Sequence, residues 1–378
     1  MKSIHHQRID DVFNGRWPER IPICEQAFAS SVASEILGRE AFTGSTDIHY
    51  FESRSWMKGA AAHDDFVEQI YQDTLELHRV LDLDIFFPPW RMSDRPTKQI
   101  DENSFLYGNP DGDDWSVWQY DPGSRTYGIM KAAQHEPDAD QVIEIMKKRI
   151  KQPRPKPELD PFLARAVREL GDDFVVSGAA CIAVPMEAGW LEATALEPEL
   201  VGEYLDGILE NVLHSIQLQY DAGVRMINGG GDFAFNSGPI YSPAFFKKIM
   251  APRWKKIFDF CRERGMIYIM RSDGNLWPVA DDLFGWANPH AYYECDFDAG
   301  MRFSALRKVF PELVLMGNVS CDLLHNGTPA DVRAAVLACI EGGAPRAIIA
   351  SSNSILHGTP PANVEALYET AKSSKMNR

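Results

Sequence analysis

The chain has 378 residues, of which 45% are hydrophobic, and it carries a formal net charge of -16 with an isoelectric point near 5.1. This apolar content is enough for one large barrel or two smaller domains, whereas the negative charge disfavours binding to nucleic acid or anionic lipid. No apolar run approaches the roughly 20 residues that cross a bilayer. Residues 1–17 also lack the apolar region of a signal peptide, so the sequence predicts a cytoplasmic protein.

The first part of the chain predicts two strands separated by helices. A short apolar run, Ile21–Cys24, predicts strand one and leads directly to Glu25. Two amphipathic helical patterns follow, and the run Leu81–Phe87 predicts strand two, which is closed by two prolines and Trp90. A different texture begins near residue 96, where turn residues and closely spaced aromatic residues predict an antiparallel hairpin excursion over about 96–157.

From Phe162 onward, strand-like runs alternate regularly with helical patterns. Ser242-Pro243, Thr328-Pro329 and Thr359-Pro360 predict helix starts, because a hydroxyl residue caps a helix and proline suits its first position. Six further strands are predicted at Phe174–Ser177, Val224–Ile227, Ile267–Met270, Ala291–Tyr293, Leu313–Met316 and Ala347–Ala350. Eight strands alternating with helices predict an α/β fold of the (β/α)8 TIM-barrel type, as one domain over residues 1–378 with an amino-terminal helical and hairpin excursion. An open doubly wound sheet is the alternative.

Polar side chains follow the predicted strands, and in a parallel barrel they would all face one mouth. Several carboxylates around one arginine can have separated pKa values, so that one acts as an acid or a metal ligand while another stays ionised. Alternatively, some of these residues cap helices or form structural pairs, and nearby tryptophans pack in the core. The residues at the predicted strand ends are Glu25, Glu187, Asp232, Arg271, Asp273, Glu294, Asn318 and Asn353.

The cysteines and glycines match no common cofactor motif. Six cysteines lie far apart without a CxxC pair, which indicates reduced, mostly buried thiols rather than disulfides or a four-thiolate zinc site. There is no HExxH, and Gly229-Gly230-Gly231 precedes Asp232 rather than opening a helix, so it fits neither a P-loop nor a dinucleotide-binding turn.

A set of motifs is clearest from Gly223 to the end of the chain: Asp232 with Gly238 and Ser242-Pro243, Ser272-Asp273-Gly274-Asn275, Gly317-Asn318, Gly327-Thr328-Pro329, Ser351-Ser352-Asn353-Ser354-Ile355 and Gly358-Thr359-Pro360. These motifs resemble the uroporphyrinogen decarboxylase superfamily, and the amino-terminal segments Gly15–Pro22 and Leu37-Gly38-Arg39-Glu40 resemble its methyltransferase-like branch of corrinoid-dependent enzymes. The resemblance implies a (β/α)8 barrel with its cleft at the carboxyl ends of the strands, often in a homodimer.

The chain differs from two groups of that superfamily at positions that bind substrate or zinc, and these differences limit the activities to be expected. The decarboxylases carry an arginine-rich segment after strand one, where this chain reads Glu25-Gln26-Ala27-Phe28, so binding of an eight-carboxylate porphyrinogen is not expected. The zinc-dependent thiol methyltransferases use a histidine and two cysteines where this chain has Arg271, Asp273 and Asn353. The alternative for zinc is a harder site formed by carboxylates and an imidazole.

The remaining branch moves a methyl group from a small donor, such as an aryl methyl ether, to a corrinoid (cobalamin) on a partner protein. Arg271 would stabilise the departing anion, and a protonated Asp232, Asp273 or Glu294 would act as the general acid. Two other hypotheses are a cofactor-independent decarboxylase or lyase of a small carboxylic acid, and a binding protein on a former enzyme barrel. The predicted catalytic residues are Asp232, Arg271, Asp273, Glu294 and Asn353, and the predicted substrate-binding residues are Glu25, Trp90, Glu187, Trp190, Asn318 and His357.

Overall fold

The computed structural model describes residues 3–44, 46–92, 94–112, 114–133 and 136–374. The strands in chain order are β1 Ile85–Phe86, β2 Lys98–Gln99, β3 Ser104–Gly108, β4 Trp115–Asp121, β5 Thr126–Ala132, β6 Val175–Ala179, β7 Met226–Gly230, β8 Ala234–Phe235, β9 Gly238–Pro239, β10 Ile267–Arg271, β11 Ala291–Tyr293, β12 Val314–Val319 and β13 Ala347–Ser351.

Fourteen α-helices are assigned within the described residues. They are α1 Ile4–Phe13, α2 Ser30–Leu37, α3 Asp47–Lys58, α4 Ala60–Leu81, α5 Ala139–Ile150, α6 Pro161–Leu170, α7 Ala188–Leu196, α8 Pro198–Asp221, α9 Pro243–Phe245, α10 Ala251–Glu263, α11 Phe303–Val309, α12 Cys321–Asn326, α13 Pro329–Gly343 and α14 Pro361–Ser373. The described residues also form two π-helical segments, Phe246–Met250 and Asp281–Ala287, and a 3-10 turn, Trp277–Val279.

Seven strands form one parallel sheet in the order β1-β6-β7-β10-β11-β12-β13. The sheet is curved: Ile85 at one edge and Ile348 at the other belong to the same inner apolar cluster as the central residues Met226 and Ile269. A larger apolar cluster packs the outer face of the sheet against the helices. No helix among the described residues is both long and apolar enough to span a bilayer.

The predicted first strand is the exception to the eight expected strands. Segment 21–24 forms a single parallel bridge between Ile23 and Ile349 instead of a strand. Cys24 N donates to Ile349 O at 3.1 Å, while Asp84 N donates to Ile23 O at 2.8 Å. This segment therefore has hydrogen bonds to β13 and to the residue that precedes β1. The prediction of eight strands is confirmed for seven of them.

The predicted boundaries differ most from the structure at strand two and at the hairpin excursion. Strand two does not begin at Leu81, because α4 continues to that residue and Asp82 then ends the helix in the left-handed conformation. The hairpin excursion is confirmed as the antiparallel sheet β2-β3-β4-β5, whose aromatic residues pack on α3 through the stacked Tyr50 and Tyr120 rings. It does not extend to residue 157, however, since α5 begins after a capping box formed by Asp138 and Gln141.

A buried ionic cluster ties segment 21–24 to α1 and β1. Asp84 is fully buried and accepts hydrogen bonds from Arg8 Nη1 at 3.0 Å, Arg20 Nη1 at 3.0 Å and Ile23 N at 2.9 Å. His5 Nδ1 lies 2.9 Å from the same carboxylate. One acceptor side chain thus holds three parts of the chain at the amino end of β1.

The helix start predicted at Ser242-Pro243 is confirmed, and it gives a test of the local interpretation. Ser242 Oγ accepts a hydrogen bond from Phe245 N at 3.1 Å, and Pro243 occupies the first helical turn. We expect Ser242→Ala to lower the free energy of unfolding by about 1 kcal/mol, because the backbone N–H loses its acceptor, and Ser242→Asn to lower it less. Urea denaturation checks both, and equal stability of all three proteins would contradict the capping role.

Candidate functional site

The carboxyl ends of neighbouring strands bring three acidic residues together. Asp232 follows β7, Asp273 follows β10 and Glu294 follows β11, and each offers a carboxylate oxygen within 4.8 Å of the others. They share this site because adjacent parallel strands end at the same edge of the sheet. Asp232 is exposed, Asp273 is half-buried and Glu294 is 1% exposed. The three therefore extend from the solvent into the interior.

Arg271, the last residue of β10, contributes positive charge to this group. Its Nη1 lies 3.2 Å from Glu294 Oε1 and 3.5 Å from Gln26 Oε1, and its side chain is 37% exposed. Gln26 Nε2 donates to Glu294 Oε1 as well, and to the backbone oxygen of Asn353 at 2.8 Å. Glu294 Oε1 is thus held by two donors. Its Oε2 is buried and has no hydrogen-bond partner in the part of the chain that the structure describes.

An open cavity of about 640 Å³ lies over Asp273 and Asn353. Asn353 Nδ2 donates a hydrogen bond to Asp273 Oδ2, which fixes the orientation of that carboxylate. Phe235, which is 59% exposed, also lines the cavity. The volume of the cavity is in the usual range for small-ligand sites. Among the residues that the structure describes, the cavity lining includes the aspartates Asp273, Asp296, Asp298 and Asp322 and no lysine or arginine.

Burial and crowded negative charge change the acidity of these groups. Burial raises the pKa of Glu294 to about 8, and the charges of Asp273 and Asp232 act in the same direction while Arg271 opposes them. Burial also raises the pKa of Asp273 to about 6, with the hydrogen bond from Asn353 opposing it. Burial and the neighbouring carboxylates thus favour the protonated form of Glu294, and the charge of Arg271 opposes this effect.

The ends of β7 and β11 have unusual backbone geometry. Glu294 has a φ of 64°, which is uncommon for a residue other than glycine and is found where surrounding contacts enforce it. A Cβ at Gly230 would lie 1.9 Å from Arg271 O, so only glycine lets the end of β7 approach β10 at this point.

The structure places Glu25 in a buried structural position. It is 2% exposed and accepts hydrogen bonds from Ser351 N at 3.1 Å, Ser351 Oγ at 2.9 Å, Tyr368 Oη at 3.1 Å and Tyr293 Oη at 3.2 Å. Burial raises its pKa to about 7, although these hydrogen bonds oppose the shift. Its carboxylate is not part of the cavity lining and instead joins segment 21–24 to β13 and α14.

Asn318, also expected at the substrate, holds the backbone of a neighbouring loop. Its Nδ2 donates to Cys295 O at 2.6 Å and to Met301 O at 3.1 Å, while Oδ1 accepts from Phe303 N at 3.1 Å. The side-chain amide is thereby used to fix the connection between β11 and α11, and it does not line the cavity.

The other predicted substrate-binding residues lie outside the cavity lining. Trp190 is 9% exposed and packs on Tyr204, with 5.2 Å between ring centroids, whereas Glu187 is exposed at the start of α7. Trp90 is 81% exposed and contacts the His49 ring edge-on. His357 is exposed, and its Nδ1 lies 2.7 Å from Ser31 Oγ. None of these four contacts the acidic group in the described residues.

The sequence-based selection missed Gln26, although it bridges Glu294, Arg271 and Asn353. The available signal was its position two residues after the predicted first strand, beside Glu25. Asp296, Asp298 and Asp322 were also missed as cavity-lining residues. Asp296 and Asp298 follow β11, and Asp322 lies in the short helix after β12.

The residues present do not fit a thiolate zinc site. Arg271 and Asn353 are close to Asp273, as the superfamily pattern implies, but the guanidinium and the amide nitrogen donate hydrogen bonds to carboxylates. Donor groups of this kind cannot ligate a cation. Cys321 is the cysteine that lines the cavity, and its Sγ donates to Ser354 O at 3.4 Å.

Both the sequence and the fold of this chain are similar to those of known proteins. The sequence profile of the family "Uroporphyrinogen decarboxylase (URO-D)" matches residues 176–374, which is more than half of the chain. A methyltransferase from Methanosarcina mazei superposes with a TM-score of 0.64 at 14% identity, covering 98% of both chains, so the likeness extends through the whole fold. An arabinopyranosidase from Geobacillus stearothermophilus has a TM-score of 0.41 at 12% identity, covering 95% of this chain and 78% of that one. No protein of curated function matches the sequence.

Proposed function

The chain belongs to the uroporphyrinogen decarboxylase family, and from that premise we propose that it is a methyltransferase that moves a methyl group from a small donor to a corrinoid held by a partner protein. The observation that carries this proposal is Arg271, a partly exposed cation at the carboxyl edge of the sheet, two residues before the cavity-lining Asp273. The fold shared with a methyltransferase over 98% of both chains supports it.

The cavity argues against uroporphyrinogen as the substrate. That molecule carries eight carboxylates, and the described residues of the cavity lining include aspartates and no basic side chain. Arg271 alone, already paired with Glu294, would not offset the repulsion between so many like charges. A donor with at most one negative charge fits the site better.

In the proposed reaction the protein orients the donor and stabilises the group that loses its methyl. When present, the corrinoid supplies the nucleophilic cobalt, and the open cavity allows a partner-borne group to approach. Arg271 is placed to stabilise negative charge on the departing oxygen of an aryl methyl ether, and the three carboxylates can retain a proton or a cation beside it. Binding energy used in this way accelerates the reaction only if it is larger in the transition state.

A second candidate rests on the same residue. A half-exposed arginine can bind a substrate carboxylate, so a cofactor-independent decarboxylase or lyase of a small acid is also compatible with the site. Its product would be carbon dioxide or an isomerised acid, and it would require no corrinoid.

The proposal is tested by mixing the purified protein with chemically reduced cobalamin and a panel of methoxyarenes and other methyl donors. We expect the absorbance of methylcobalamin to appear in proportion to the amount of protein. Carbon dioxide release from a panel of small acids, without methylation of cobalamin, would instead establish the second candidate. Ligand binding with neither reaction would indicate a binding protein.

We also infer that segment 21–24 completes an eight-membered (β/α)8 barrel and that residues 1–378 form one domain with the hairpin excursion inserted. The hydrogen bonds from this segment to Ile349 and Asp84 support the closure. One continuous apolar cluster containing residues from Ile21 to Ala371 supports the single domain.

A further inference from the structure

We propose that Asp232, Asp273 and Glu294 bind one hard divalent cation of the Mn²⁺ or Mg²⁺ type at the carboxyl edge of the sheet. The three side chains come from the ends of three consecutive strands, β7, β10 and β11. Their nearest carboxylate oxygens all lie within 4.8 Å of one another. Around octahedral Mg²⁺, at metal–oxygen distances of about 2.0 to 2.1 Å, ligand oxygens are separated by about 2.8 to 4.2 Å. The three carboxylates thus converge on a space of the size that one ion occupies.

The hydrogen bonds around the cluster leave oxygen atoms free to ligate. Glu294 Oε1 is held by Arg271 and Gln26, whereas Glu294 Oε2 is buried and has no partner among the described residues. Asp273 Oδ2 is likewise held by Asn353 Nδ2. Neighbouring donors that fix one oxygen and leave the other free are a common arrangement around metal-binding carboxylates.

The buried, unpartnered Glu294 Oε2 distinguishes this cluster from ordinary surface acidity. Its side chain is 1% exposed, so bulk solvent does not reach it. A buried polar oxygen without a partner is costly, and a bound cation would satisfy it. Arg271 supplies one positive charge to three carboxylates, which leaves room for a dication without excess positive charge.

The ligand set determines the class of ion. All three ligands are carboxylates, and oxygen-rich sites suit Mg²⁺ and Mn²⁺, whereas thiolate and imidazole favour Zn²⁺. No histidine or cysteine belongs to the cluster in the described part of the chain. The inference depends on this geometry and holds whether or not the protein transfers methyl groups.

The test is a direct measurement of Mn²⁺ binding to chelator-treated full-length protein. Loss of the free Mn²⁺ signal in electron paramagnetic resonance and isothermal titration calorimetry would report affinity and stoichiometry. We expect one Mn²⁺ per chain and an affinity at least 10-fold weaker in Glu294→Gln and in Asp273→Asn. Glu192→Gln, which removes one exposed charge on α7, should bind as the unaltered protein does. Circular dichroism establishes that each variant is folded, and Asp273→Asn serves if Glu294→Gln is not.

Two results would overturn the proposal. The first is the absence of Mn²⁺ and Mg²⁺ binding at millimolar concentrations, or equal affinity in the cluster variants and the control. The second is selective binding of Zn²⁺ that is lost in Cys321→Ser, because it would identify a thiolate site instead. Neither measurement uses methyl transfer as its readout, so failure of the metal site and failure of the proposed reaction are separable.

Discussion

Replacing Arg271 with methionine is expected to lower kcat for methyl transfer by about 100- to 1000-fold, the usual effect of removing one preorganised group that stabilises developing negative charge. Methionine keeps much of the side-chain length and packing but removes the guanidinium that donates to Glu294, two residues before the cavity-lining Asp273. The loss should appear mainly in kcat, because the charge on the departing group is greatest in the transition state. The measurement is the initial rate of cobalamin methylation at saturating donor.

Two control variants distinguish the effect of the positive charge at position 271 on the rate from the effect of removing any arginine. Arg271→Lys keeps the positive charge and should recover part of the rate, although the lysine ammonium lacks the planar, multiple-donor geometry of the guanidinium. Arg302→Met removes an exposed arginine that lies over the Phe297 ring and should leave the rate unchanged. If Arg271→Met reacts as fast as the unaltered protein, Arg271 does not stabilise the leaving group.

Replacing Asp84 with alanine is expected to lower the free energy of unfolding by about 3 to 5 kcal/mol. The substitution leaves the buried guanidinium groups of Arg8 and Arg20 and the backbone N–H of Ile23 without their shared acceptor. Because Asp84 is completely buried, water cannot replace the lost hydrogen bonds without local opening. Chemical denaturation followed by circular dichroism measures the change, provided that unfolding is reversible.

A surface ion pair provides the contrast. Glu144 and Lys147 are 2.8 Å apart, with 73% and 52% of their side chains exposed, so Glu144→Ala should leave the unfolding transition in place. A loss below about 1 kcal/mol for Asp84→Ala would show that the amino end of β1 is held by its backbone hydrogen bonds instead.

The sequence predicted an element correctly where the residues that form it also carry the pattern that predicts it. The run Ala291–Tyr293 is the observed β11, and Ser242 caps its helix as predicted. Signals failed where distant parts of the chain decided the outcome. Ile21–Cys24 is apolar like the other strands, but it meets its neighbours through a few hydrogen bonds and does not form an extended ladder.

The same distinction applies to the candidate site. The sequence placed Asp232, Arg271, Asp273 and Glu294 at strand ends, and the structure brings them together. The sequence could not show that hydroxyl and backbone donors surround the Glu25 carboxylate, because two of these donors, Tyr293 and Tyr368, lie 268 and 343 residues away in the chain. Gln26 was missed for the same reason, since its role depends on its contact with Glu294.

By itself, the sequence determined the alternation of strands and helices, the residues that follow each strand and the absence of a thiolate zinc motif, because these depend on periodicity and residue type. Only the tertiary structure decided which polar side chains face the cavity and which hold the backbone. That choice depends on packing and hydrogen bonds between segments far apart in the chain, and two adjacent residues such as Glu25 and Gln26 can therefore have different surroundings.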